Sequence, residues 1–124
     1  MKEYIVIFVG GGLGASARYW LSGLLYEKWG TAFPYGTLAV NILGCLAIGI
    51  LMSSTEERFL ASPQLRLFLT IGILGGFTTF SSFSYETIAM VRDGEFFYGS
   101  LNVMTSVFSC LIGTWIGIQI GKLF

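Results

Sequence analysis

Residues 72 to 86 read GILGGFTTFSSFSYE and bring together two adjacent glycines, five serine and threonine hydroxyls, three phenylalanines and a glutamate. At about 100° per residue, Thr79, Ser82 and Glu86 line one helix face, Phe80 and Phe83 the neighbouring face, and Thr78, Ser81 and Tyr85 a third. Hydroxyls donate hydrogen bonds, and the edges of phenyl rings carry positive partial charge. That combination suits an anion. Asn41 shares a face with Thr37, Gly44 and Ile48 in an earlier segment and offers an amide. It is either a donor facing a pore or half of an interhelical hydrogen bond. Asn102, Ser106, Ser109 and Gly113 form a further polar stripe, although serines can satisfy themselves on their own helix carbonyls. Basic residues are too few to draw in a large anion by charge. A small, strongly hydrated one, which needs many short hydrogen bonds to replace its water, fits better.

These groups sit in a chain that is 54% hydrophobic and 11% charged, with a mean hydropathy of +0.74. A soluble domain carries about 25% charged residues, so lipid is the expected solvent for most of this surface. Four apolar stretches, about 4–25, 35–52, 65–90 and 97–123, are bounded by charge or proline. Each approaches the roughly 20 residues that cross a bilayer as a helix. The expectation is a single all-α integral membrane domain over residues 1–124 with four transmembrane helices. Glu27-Lys28, Glu56-Glu57-Arg58 and Arg92-Asp93-Gly94-Glu95 mark the connections, and Pro34 and Pro63 precede the second and third stretches.

Gly75-Gly76 falls near the middle of the third stretch, where each glycine weakens a helix by roughly 1 kcal/mol. The pair predicts a third helix broken near mid-membrane, its freed carbonyls aimed at a small cation. Lysine and arginine are spread almost evenly: Lys2, Arg58, Arg66 and Lys122 on one side, Lys28 and Arg92 on the other, joined there by Arg18 if it snorkels that way. So weak a bias allows insertion both ways up and an antiparallel homodimer, with a single orientation equally open from charge alone. Broken helices meeting on the two-fold axis of such a dimer would surround an ion with carbonyls from both copies.

Other readings fall away. Gly10, Gly12 and Ala15 match the G-x-G-x-x-[GA] spacing of a dinucleotide site, but no acidic residue follows about 20 positions on. Small residues four apart, Gly10 with Gly14 and Gly11 with Ala15, instead let a second helix approach closely. Arg18, in the first stretch, is either a functional or structural anion partner or a snorkelling side chain. The chain has no histidine, and Cys45 and Cys110 lie far apart in apolar segments, as two small buried thiols would. Neither a zinc site nor a disulfide framework is expected, and zero net charge with no basic patch argues against a nucleic-acid partner. The first apolar run lacks an Ala-x-Ala-like cleavage pattern and is expected to be retained, favouring a bacterial-type inner membrane.

GGGLGASARY, GTLAVNILG and GILGGFTTFSSFSYE, in this order, closely resemble the Fluc (CrcB) fluoride channels over nearly the whole chain. The resemblance implies a dual-topology homodimer with two antiparallel pores that exports fluoride passively. The family's pore phenylalanines fall on Phe80 and Phe83 and its pore asparagine on Asn41. Its hydroxyl track falls on Ser81 and Ser82, with Glu86 further along and Ser106 on the fourth helix. Its central Na⁺ would take backbone carbonyls of Gly75 and Thr78, and Arg18 holds the first-helix arginine position. Where the family motif often reads Thr-Thr-Phe-Ser-Thr-Phe, Ser82 replaces the last threonine and keeps the hydroxyl.

The rival is a small dual-topology, proton-coupled exporter of organic cations. It needs a membrane-buried carboxylate, and only Glu86 qualifies. A structural subunit without transport would leave the polar face of the third helix unexplained.

Overall fold

The computed structural model describes residues 1–55 and 62–124; Glu56, Glu57 and Arg58 of the second connection lie outside these residues. The described chain is almost entirely helical: α1 (Lys2–Trp29), α2 (Tyr35–Thr55), a composite third span and α6 (Phe96–Gly121). The third span runs from α3 (Pro63–Arg66) through a π-helical segment (Leu67–Leu74) into α4 (Gly75–Phe77) and resumes as α5 (Phe80–Arg92). Residues 4–9 are helical rather than a strand, so the glycines that follow belong to no strand–turn–helix unit.

Local chemistry explains the ends. Pro63 occupies the first turn of α3, where its missing N–H costs nothing, and the Ser62 hydroxyl accepts from Leu65 N at 3.4 Å. Gly30 closes α1 at φ 82°, its N–H on the Tyr26 carbonyl. Gly94 takes φ 83° after α5, and Glu95 N then reaches back to Met90 O at 2.8 Å. Both glycines hold a left-handed backbone that a side chain would strain.

The helices run up, down, up, down. α1 lies parallel to the third span, and α2 parallel to α6, along two seams in which glycine lets backbones touch. In the first seam a Cβ on Gly10 would come within 2.8 Å of Phe68 O, one on Gly14 would strike Ile73 O, and one on Gly76 would strike Gly11 O. In the second, a Cβ on Gly49 would collide with Thr114 O and one on Gly117 with Leu46 O. The small residues four apart on α1, Gly10 with Gly14 and Gly11 with Ala15, therefore form a packing surface, as expected of helices associating in lipid.

Among the described residues, the buried apolar side chains are only Val40 and Met90, while some thirty large apolar side chains are exposed, Phe8, Tyr19, Trp20 and Trp115 among them. A water-soluble fold buries such groups; this one turns them outward. Three helical stretches, Tyr35–Ser54, Pro63–Arg92 and Phe96–Gly121, are long and apolar enough to cross a membrane. α1 is long enough at 28 residues, but its glycines and Arg18 leave it short of that apolarity.

The break in the third span is not at the glycine pair. Gly75 keeps helical angles (φ −62°, ψ −36°), and the chain turns extended at Thr78 (φ −86°, ψ 156°) and Thr79 (φ −151°, ψ 115°). Gly76 is kept bare for the approach of α1, whereas β-branched threonine readily adopts an extended backbone. Gly117→Val should fail to give monodisperse protein, or should melt at a lower temperature, in keeping with the roughly 1–3 kcal/mol that overpacking costs; Gly12→Ala, with nothing within 4 Å of the added Cβ, should fold normally. Equal thermal stability of the two variants in detergent would remove the seam.

Candidate functional site

An interruption at Thr78–Thr79 releases backbone groups that hydrocarbon cannot solvate. One side chain takes both groups of Thr79. Asn41 Oδ1 accepts from Thr79 N at 2.8 Å, and Asn41 Nδ2 donates to Thr79 O at 3.0 Å. An amide has two N–H donors, so Nδ2 keeps one hydrogen beyond this pairing. Asn41 is held opposite the break because α2 carries Gly44 one turn later, where a Cβ would collide with the Thr78 side chain.

Arg18 settles a second released group. Its Nε donates to the Gly76 carbonyl at 3.0 Å, an acceptor that an unbroken helix would pair with the N–H of Phe80. Arg18 thus reaches inward across the α1 seam rather than snorkelling outward. Thr78 turns both its N–H (3.1 Å) and its hydroxyl (2.9 Å) back to Leu74 O. The Thr78 carbonyl accepts no hydrogen bond among the described residues. The next turn does not claim the Gly75 carbonyl either, since Thr78 N–H goes to Leu74 and Thr79 N–H to Asn41.

Thr79 then starts α5. Its hydroxyl accepts from Ser82 N at 3.1 Å as an N-cap, and it lies 3.3 Å from the Ser81 hydroxyl and 3.1 Å from that of Ser82. Phe80 and Phe83 follow, with ring centroids 5.3 Å apart and planes inclined at 53°. Phe80 is 78% exposed. Asn41, Thr78, Thr79, Phe80, Phe83 and Ser106 line one groove of about 460 Å³, to which Gly75 also contributes.

The fourth-helix stripe enters through a relay. The Ser106 hydroxyl donates to Asn102 Oδ1 at 3.3 Å, Asn102 Nδ2 to the Thr87 hydroxyl at 2.9 Å, and that hydroxyl to Phe83 O at 2.7 Å. Asn102 is almost fully buried. The relay fixes the Phe83 backbone to α6 and places Ser106 in the groove wall.

Glu86 stands apart. Its Oε1 accepts from the Thr37 hydroxyl at 2.8 Å and from Tyr26 at 3.5 Å, joining α1, α2 and α5, while Oε2 is buried without a partner. Glu86 lines a different cavity, about 390 Å³, with Tyr26, Pro34 and the loop residues Asp93 and Glu95. Tyr26 and Thr87 were not singled out from sequence; a tyrosine near a helix end and a threonine within a hydroxyl-rich segment carry no signal until the helices are assembled.

The fold and groove define a class: a multi-pass, all-helical membrane protein in which a broken span lines a wall of hydrogen-bond donors and aromatic rings. The chain belongs to the CrcB family, whose model, described as CrcB-like protein, Camphor Resistance (CrcB), matches residues 5–118. It is 53% identical over 122 residues, 98% of both chains, to a protein of Geotalea uraniireducens named fluoride-specific ion channel FluC. Proteins of the same name from Geotalea daltonii (56% over 119 residues, 94% of this chain and 96% of the relative) and Geobacter sulfurreducens (53% over 122 residues, 98% of both) are equally similar in extent.

Replacing Asn41 with leucine strands both Thr79 backbone groups, at about 1–3 kcal/mol for each buried unpaired group. Asn41→Asp keeps the acceptor but sets a carboxylate oxygen against Thr79 O. Both variants should unfold at lower temperature than wild type in detergent, and an unchanged Tm in both would dismiss Asn41 as the brace of the break.

Proposed function

We propose that this chain is the protomer of a fluoride-selective channel that lets F⁻ leave the cytoplasm passively and so confers fluoride resistance. Two copies inserted in opposite orientations in the inner membrane make the working unit, with two antiparallel pores. The carrying observation is the grouping of Phe80, Phe83, Asn41, Thr79 and Ser106 along one groove beside an interrupted span. The names borne by relatives 53–56% identical support the choice of ion.

Fluoride enters a cell as neutral hydrofluoric acid, dissociates in a less acidic cytoplasm and is trapped as the ion. An open path returns it down its electrochemical gradient. The ion is small and strongly hydrated, so the path must offer many short hydrogen bonds. The Thr79, Ser81 and Ser82 hydroxyls cluster at the start of α5, and rotation of an O–H re-aims a donor without moving the backbone. The remaining Asn41 N–H and the ring edges of Phe80 and Phe83 add positive partial charge without fixed cations that would trap the ion. Ser106 supplies a hydroxyl from α6, whereas Glu86, held by Thr37 and Tyr26, lines a separate cavity nearer the loops and stands outside this path. A larger halide meets donors too closely spaced to surround it, so the narrow path rejects chloride.

A structural Na⁺ at the dimer centre completes the reading. A hard cation takes oxygen ligands, and no group of three or more His, Cys, Asp or Glu that could hold a metal occurs among the described residues. The unclaimed carbonyls of Gly75 and Thr78, doubled by the second copy, fit such an ion. Held there, such an ion would supply a fixed positive charge; conduction needs only the chain's own donors. The organic-cation exporter would need Glu86 as a proton carrier in the path, and Glu86 does not line the groove.

In liposomes loaded with fluoride, purified wild type should release F⁻ without proton coupling and with chloride excluded. Phe80→Ile and Asn41→Asp should each slow release by roughly tenfold or more, the effect of raising a barrier by about 1.4 kcal/mol. Normal efflux in both variants would refute the pore assignment.

A further inference from the structure

The fold unites the two cysteines that the sequence separates. Cys45 on α2 and Cys110 on α6 both line the groove that carries Phe80 and Phe83. They face the seam between α2 and α6: one turn beyond Cys110, a Cβ built on Gly113 would lie 3.9 Å from Cys45 Cβ and 3.4 Å from Ile42 O, ordinary van der Waals contact. The two thiols lie against each other there, free and half-buried. Two small hydrophobes would fill this space equally well, but a facing thiol pair also has chemistry.

We propose that Cys45 and Cys110 form a two-sulfur binding site for a soft, thiophilic metal ion in the wall of the groove. Thiolates select soft ions over hard ones. Zinc wants four ligands, and the described residues place no group of three or more His, Cys, Asp or Glu around the pair. What fits is an ion content with two sulfurs, of which Hg²⁺ is the simplest probe. Binding exchanges two S–H bonds for two S–Hg bonds and releases two protons: two R–SH plus Hg²⁺ give R–S–Hg–S–R plus two H⁺. The product is uncharged, so it suits an apolar surrounding that would penalise a single charged mercaptide. It ties α2 to α6 and sets a heavy atom beside the ring pair, narrowing the groove.

The transport arm of the test rests on the fluoride-channel reading, whereas the binding arm does not. Purified protein in detergent is titrated with HgCl₂ while free thiols are counted and released protons measured. One Hg²⁺ per chain should consume both thiols of wild type. Cys45→Ser and Cys110→Ser should each lose this two-thiol uptake, keeping only a mercaptide that dithiothreitol removes at lower concentration. In fluoride-loaded liposomes the same stoichiometric Hg²⁺ should reduce wild-type efflux to the level of protein-free vesicles, with recovery on adding dithiothreitol, and should spare each serine variant relative to its own untreated rate. Uptake of two Hg²⁺ per chain, one on each thiol, would overturn the shared site even if efflux fell. Block persisting unchanged in both serine variants would overturn it as well. Should a serine variant misfold, wild-type stoichiometry and proton release still decide. Absence of efflux in untreated wild type would count against the channel reading and leave the binding result standing.

Discussion

A polypeptide that leaves helical geometry at membrane depth must find partners for its backbone, because lipid offers none. In this protein that constraint is met chiefly by the pair of hydrogen bonds between the Asn41 amide and the main chain of Thr79. Their geometry resembles two rungs of a strand ladder, with a side-chain amide standing for the missing neighbour. Arg18 on the Gly76 carbonyl and Thr78 folded back on Leu74 complete the repair. The extended Thr78–Thr79 step then sets the direction of α5, and with it the placement of Phe80, Phe83 and the serine hydroxyls. Remove the repair and the groove wall loses its origin.

The repair in turn depends on backbone proximity. Asn41 and Arg18 reach the break only because α2 and α1 lie close to the third span, and glycine permits that approach. Gly14 and Gly76 clear the α1 seam, while Gly44 makes room for the Thr78 side chain. A single added methyl at such a place would push a helix outward and draw a hydrogen-bond partner out of range. Packing in lipid, where no hydrophobic effect drives helices together, rests on this intimacy. The parallel α2–α6 seam plays the corresponding part on the other side, carrying Ser106 and the Asn102–Thr87 relay to the back of Phe83.

Polar residues in this protein therefore divide by what they face. Asn102 and Thr87 are spent on each other and on the backbone, and give α5 and α6 a fixed register. Thr79, Ser81 and Ser82 satisfy one another beside a groove, an arrangement that can exchange partners with a guest. Glu86 is held by Thr37 and Tyr26 on a separate surface near the loops. Sequence periodicity put Thr79, Ser82 and Glu86 on one face; the break at Thr79 and the reach of Tyr26 from α1 explain why they do not share one cavity.

Composition and spacing alone determined the solvent, the four helical segments to within a few residues at each end, and the chemical character of the third span. These are local properties: hydropathy sums over neighbours, and side-chain faces follow from a fixed turn per residue. The position of the break was misread from the glycine pair, because propensity measures what an isolated helix tolerates, and Gly76 is there to admit α1. Likewise, nothing in the chain order hinted that Cys45 meets Cys110, that Arg18 turns inward, or that Asn41 braces Thr79. Those pairings join residues on different helices, so only the assembled tertiary structure, with its glycine-thin seams, could decide them.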